Sequence, residues 1–297
     1  MKNLKPFAFR HPIFFALVIM GIAVPLTEIP LESLFSQSLS FQKASYISGI
    51  LLQGGTSLLL ALLITRLGMR EEAGFTPISR WKSVWLIWPL IAYSLLNGSD
   101  LLTGAIRIDW SDGSLIILYL LLYLSVGFVE EILFRGLMLS LMLRAWGKTR
   151  RGILAAVVLS SVVFGVVHVV NLLMGRRDLL TTGTQILYAL FFGVFFAACF
   201  LRSRSIWPVI FGHFLFDLCG SFQDLSAGHV FTRVQPAISL DAALVTLGIL
   251  LPLFLIGLFY LRKVEPVEKD RTDNVESLTT RWQCRQGIQS EKGTLLR

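Results

Sequence analysis

The stretch Leu118–Leu143, LYLLLYLSVGFVEEILFRGLMLSLML, decides how this chain folds. Both of its ends are apolar enough to sit in lipid, yet its centre holds Glu130, Glu131 and Arg135. A charged side chain at the middle of a bilayer costs roughly 2.5–3.5 kcal/mol on insertion scales. Such residues therefore face the interior of a helix bundle and find partners there. The stretch predicts a spanning helix that delivers polar groups to a buried site.

Composition agrees with that reading. The 297 residues are 54% hydrophobic and only 15% charged, with a mean hydropathy of +0.68. A soluble domain carries about 25% charged residues. The apolar residues fall into blocks close to the ~20 residues of a transmembrane helix. They predict an all-α polytopic membrane protein with about eight transmembrane helices, near residues 13–28, 44–65, 82–96, 114–143, 153–173, 181–201, 206–220 and 242–261. The third and seventh blocks are short, and the fourth is long enough to tilt or project. Residues 1–263 read as one transmembrane domain with its motif core at 114–220. Residues 264–297 are polar and aperiodic and read as a flexible cytoplasmic tail.

Basic residues in short connections mark the cytoplasmic side. The amino terminus carries Lys2, Lys5 and Arg10, and the second connection carries Arg66, Arg70, Arg80 and Lys82. Arg144, Lys148, Arg150 and Arg151 occupy the fourth, Arg202 and Arg204 the sixth, and Arg262 and Lys263 follow the last block. The alternate connections hold only Lys43, Arg107, Arg176, Arg177 and Arg233. Both termini are therefore expected in the cytoplasm, and the plasma (inner) membrane of a bacterium is the expected location. Basic loops against anionic headgroups account for the net charge of +8 without a nucleic-acid partner. No Gly-rich phosphate loop points to a nucleotide. Trp81, Trp110, Trp146 and Trp207 lie near block ends, where interfacial tryptophans belong. The first block lacks a small-x-small cleavage pattern and reads as a retained helix rather than a signal peptide. Cys199, Cys219 and Cys284 have neither metal-type nor disulfide-type spacing.

Three blocks carry polar residues at helical spacing. The fourth has Glu130, Glu131 and Arg135, the fifth has Phe164, His168 and Asn171, and the seventh has His213 and Asp217. The active site is thus expected among helices 4, 5 and 7, in a water-filled cavity bounded by helices 4 to 7. Residues four apart share a helix face, so Glu131 and Arg135 are expected to pair. Glu130 is turned about 100° away and is left for chemistry. His213 and Asp217 likewise share a face. Interhelical polar contacts alone would be a bland account of any one of these residues, but not of the set.

A carboxylate with a histidine beside it can activate water as a general base. Histidine N–H and carboxyl or amide groups can hold the oxyanion of a tetrahedral intermediate. These are the parts for hydrolysing an amide inside a membrane. The same Glu130, His168 and His213 are also candidate ligands for Zn²⁺, which would lower the pKa of a bound water to about 7. A proton relay in a transporter is the third use of such residues, although the chain lacks the paired halves usual in transporters.

Glu130-Glu131-x-x-x-Arg135, Phe164-x-x-x-His168 and His213-x-x-x-Asp217, in that order and in successive spans, resemble the signature of the CPBP intramembrane proteases. That family includes the type II CAAX prenyl endopeptidases and bacterial relatives. The resemblance implies an intramembrane endopeptidase that cuts a membrane-associated protein or peptide. It implies that Glu130 activates water, His168 assists, Glu131 and Arg135 support, and His213 and Asp217 stand on the oxyanion side. Phe164 and Asn171 are candidate substrate contacts. Relatives include both metal-dependent and glutamate-dependent enzymes, so Zn²⁺ stays open. The prenyl proteases carry Asn where this chain has Asp217. Asp217 therefore carries a proton, orients His213 or binds a metal. A non-catalytic protein of the same fold, acting in bacteriocin immunity or signalling, is the alternative function.

Overall fold

The apolar blocks become helices because the residues between them start and stop helices. In the computed structural model, which describes residues 4–76 and 84–266, helix α1 spans Leu4–Arg10, α2 spans Pro12–Thr27 and α3 spans Phe41–Leu67. A 3-10 turn at Trp85–Ile87 leads into α4, Trp88–Asn97. The fourth block is one continuous rod: α5 (Gly113–Glu131), a π-helical segment (Ile132–Leu139) and α6 (Ser140–Trp146). The fifth block is α7 (Arg150–Val166) and α8 (Val169–Leu173); the remaining blocks are α9 (Leu179–Ser203), α10 (Trp207–Gly220) and α11 (Leu240–Leu261). Arg80, Trp81, Lys82, Cys284 and the proposed tail from residue 267 onward lie outside the described residues.

The protein is all-helical: among the described residues the extended pairing is one isolated bridge between Ile108 and Ser226. Among the described residues, six helices are long and apolar enough to cross a membrane: Pro12–Leu34, Phe41–Leu67, Gly113–Trp146, Arg150–Leu173, Leu179–Ser203 and Leu240–Leu261. The third and seventh blocks, expected as spans, form the shorter apolar helices Val84–Asn97 and Trp207–Gly220. Their apolar runs are shorter than the ~20 residues usual for a crossing.

Short polar side chains cap the helix starts, as their chemistry favours. Ser40 accepts from Lys43 N, Asp112 from Leu115 N, Thr149 from Gly152 N, Asp178 from Thr181 N and Ser239 from Ala242 N. Helix α3 ends on Gly68 at φ 72°, a left-handed position that glycine occupies without a Cβ clash. Asp112 also pairs with Lys43 Nζ at 2.6 Å and accepts from Ser114 Oγ at 2.7 Å. The Lys43 ammonium, followed by Ser114 and the cap N–H, holds the Asp112 carboxyl down at about 2. A carboxyl held below its ordinary value contributes stability above that value, and the contribution is lost as pH falls through the lowered one. The gap in melting temperature between wild type and Asp112→Asn is therefore expected to shrink as pH falls from 5 towards 2. The pair is exposed, so the gap is expected to be small.

Small residues set how closely the rods approach, the usual device in membrane bundles. A Cβ on Gly257 of α11 would sit 2.9 Å from Phe195 Cα of α9, and one on Gly193 of α9 would sit 2.7 Å from Ser161 Cβ of α7. At Gly127 of α5 a Cβ would lie 3.0 Å from Ile210 O and 3.3 Å from Phe214 N of α10. Gly127→Val is thus expected to push α5 and α10 apart at a cost of about 1–3 kcal/mol. Thermal unfolding in detergent checks this against Gly54→Ala, a position with nothing within 4 Å of its Cβ.

The bundle has two unlike ends. At one, Arg144 pairs with Glu72 at 2.8 Å, Arg150 donates to Val264 O and Leu261 O, and Thr76 Oγ1 donates to Arg204 O. The basic connections therefore gather at that end. At the other, Glu28 pairs with Arg176 at 2.6 Å and Glu32 with Arg233 at 3.3 Å. There the turn Phe222–Leu225 is tied to α3 and α5, with Asp224 Oδ2 accepting from Tyr46 OH at 3.0 Å and Tyr123 OH at 3.3 Å.

Candidate active site

Glu131 closes α5 and is fully buried. Its Oε1 receives Arg135 NH1 at 2.7 Å and meets His213 Nδ1 at 2.8 Å. One carboxylate oxygen thus joins the fourth block to α10. Arg135 NH2 lies 3.5 Å from Gly193 O, which adds α9. The guanidinium stands 4.4 Å from the Phe164 ring centre and 5.1 Å from that of Phe196, and the π faces attract the cation. His213 stacks on Phe196 at 16° and meets the edge of Phe164 at 88°. Aromatic rings thus pack against both the guanidinium and the imidazole.

All residues of the π-helical segment Ile132–Leu139 are buried. The single Ser140 hydroxyl proton is shared between Glu72 O at 2.8 Å and Arg135 O at 3.0 Å, which ties the end of that segment to the loop after α3. Segments of this kind re-aim side chains within a rod and recur at functional sites. The Glu131–Arg135 ion pair forms across the junction between α5 and the π-helical segment.

Glu130 points the other way, as the 100° step requires. Its side chain is 26% exposed and lines a cleft of about 110 Å³, room for a few waters at about 30 Å³ each. His168 lines the same cleft. It occupies the break between α7 and α8, where His168 N bonds Gly165 O and Asn171 N bonds His168 O. His213 Nε2 lies 3.6 Å from Glu130 Oε2 and 3.4 Å from Asp217 Oδ2, so its ring stands between the buried ion pair and the cleft carboxylate.

The walls of the cleft differ from the expectation. α2 supplies Ala23, Val24 and Thr27, Glu28 caps its end, and α3 supplies Gln53. The fourth and fifth blocks complete the lining, which includes no residue of α9 or α10. The cavity is therefore bounded by the first, second, fourth and fifth blocks, because the bulky rings of α9 pack against His213 and fill that side. Gln53 was not singled out by its sequence, although an amide inside an apolar block is a signal. It accepts from Ser125 Oγ at 3.0 Å.

Phe164 is buried beneath Arg135, packs on Phe134 and stands edge-on to His168. It is a supporting ring and not a wall of the cleft. Asn171 lines the cleft and donates from Nδ2 to Gln185 Oε1 at 2.9 Å. The suggested zinc ligands Glu130, His168 and His213 do not make a cage. Among the described residues, no three His, Cys, Asp or Glu side chains are grouped to hold a metal ion, and His213 Nδ1 is engaged by Glu131.

Residues 112–219 match the family model described as Rce1-like, type II CAAX prenyl endopeptidase. The matched segment contains all three motifs, and its family is one of proteases. No curated protein and no solved structure matches the chain.

Proposed function

Taking residues 112–219 as an Rce1-like domain, we propose that the protein is an intramembrane endopeptidase in which Glu130 activates water. The supporting observation is the division between the two glutamates: Glu131 is locked between Arg135 and His213, while Glu130 faces the cleft with His168. A water between Glu130 and His168 gives its proton to Glu130 as its oxygen attacks the peptide carbonyl carbon. The carbonyl electron pair moves to oxygen, on the side of Glu130 where His213 Nε2 stands 3.6 Å behind Oε2. The oxyanion pair then re-forms the C=O bond as the C–N bond breaks, and Glu130 returns the proton to the leaving amine nitrogen. Asp217, 3.4 Å from His213 Nε2, orients that ring.

In the bilayer the protein is multi-pass, with the basic connections and both termini on the cytoplasmic side of a bacterial plasma membrane. Its substrate is a membrane-associated protein or peptide. The test is purified protein in lipid nanodiscs, incubated with a proteome-derived peptide mixture and read by mass spectrometry. Cleaved peptides that are missing with Glu130→Gln are expected. Equal cleavage by both proteins would remove Glu130 from the reaction.

A further inference from the structure

The cleft lies nearer one end of the bundle than the other. Below it, towards the basic connections, Ile64, Leu67, Leu137, Met138 and Ile206 are buried almost without exposure. A Cβ on Gly136 would lie 3.3 Å from Ile206 and 3.4 Å from Ile64 side chains, so this layer is close-packed. The lining residues nearest an end are Thr27 and Glu28, at the close of α2, and Asn171, in α8. His168 stands about 27 Å along the fifth block from Arg150 but only about 8 Å from Leu173, at 1.5 Å per residue. The Glu28–Arg176 pair bridges the end of α2 to the loop after α8 at this rim, half-buried on both sides.

We infer that the catalytic cleft is reached from the end opposite the basic connections, which is the non-cytoplasmic face. This rests on the orientation and hydrolysis of the proposed function and names the substrate class: a segment of an exported or membrane-anchored protein presented on the non-cytoplasmic side. A cytoplasmic, prenylated carboxyl terminus would meet the packed floor. The Glu28–Arg176 pair must part to admit a polypeptide, because the cleft holds only a few waters.

Cysteine accessibility in the full-length chain tests this. Cys199, Cys219 and Cys284 are replaced by alanine, and single cysteines are introduced by Thr27→Cys at the mouth, Trp110→Cys at the same end and Lys148→Cys at the basic end. Trp110 is exposed and Lys148 is exposed, so they report orientation. A membrane-impermeant maleimide is expected to label Thr27→Cys and Trp110→Cys in intact cells but not in inverted vesicles, and Lys148→Cys in the reverse pattern. If Trp110→Cys is labelled from outside but Thr27→Cys only in inverted vesicles, the mouth is misassigned while the orientation holds. If Trp110→Cys is labelled only in inverted vesicles, the orientation fails and the inference with it. Labelling of Thr27→Cys by a lipid-soluble maleimide alone would also overturn it, in favour of access through the bilayer. The labelling requires no substrate, so failure of the proteolytic reading would leave its result interpretable.

Discussion

Glu130→Gln is expected to retain the fold and lose turnover by about 10²–10⁴-fold, the range a general base contributes. The substitution keeps the shape of the side chain and removes its ability to take a proton from water. Its structural cost is small because Glu130 faces the cleft and its contact with His213 Nε2 is long, at 3.6 Å. The buried ion pair does not include Glu130 and stays intact. Melting temperature in detergent is expected to match wild type, while the rate of peptide hydrolysis falls. A variant that melts normally and cleaves normally would place the base elsewhere.

Arg135→Met is expected to damage stability as well as activity. It leaves the Glu131 carboxylate fully buried without its partner at 2.7 Å. Removing one member of a buried pair costs about 3–5 kcal/mol. Replacing both members with apolar residues of similar volume is often neutral, so Glu131→Leu combined with Arg135→Met should recover much of the melting temperature. Activity should not return, because His213 Nδ1 loses its acceptor at 2.8 Å and the ring loses its orientation. Recovered stability with lost activity separates a positioning role from a merely structural one. A double variant that is both stable and active would show that the Glu131 contact does not position His213.

The motif spacing made the ion pair legible before any coordinates, since Glu131 and Arg135 are four apart and one helix face must hold both. The roles of the other residues depended on packing between helices, which spacing does not carry. The π-helical segment Ile132–Leu139 has no signature in its apolar sequence; it is stabilised by burial and by Ser140 reaching Arg135 O. Helix α2 is apolar nearly all round, so no periodicity says that Ala23 and Val24 would wall the cleft. Phe164, a candidate substrate contact by family resemblance, lies under Arg135, where its π face attracts the buried guanidinium. The break at His168 has no proline to mark it between Ile153 and Leu173. The two short blocks were visible as short, and α4 and α10 are correspondingly brief.

Terminal-peptide proteomics on membranes from host cells tests the central claim most directly, with wild type and Glu130→Gln compared at equal abundance. New protein termini present with wild type and missing with Glu130→Gln are the expected result, and their sequences would identify the substrate. Identical sets of termini, with both proteins folded in the membrane and the pathway active, would contradict proteolysis.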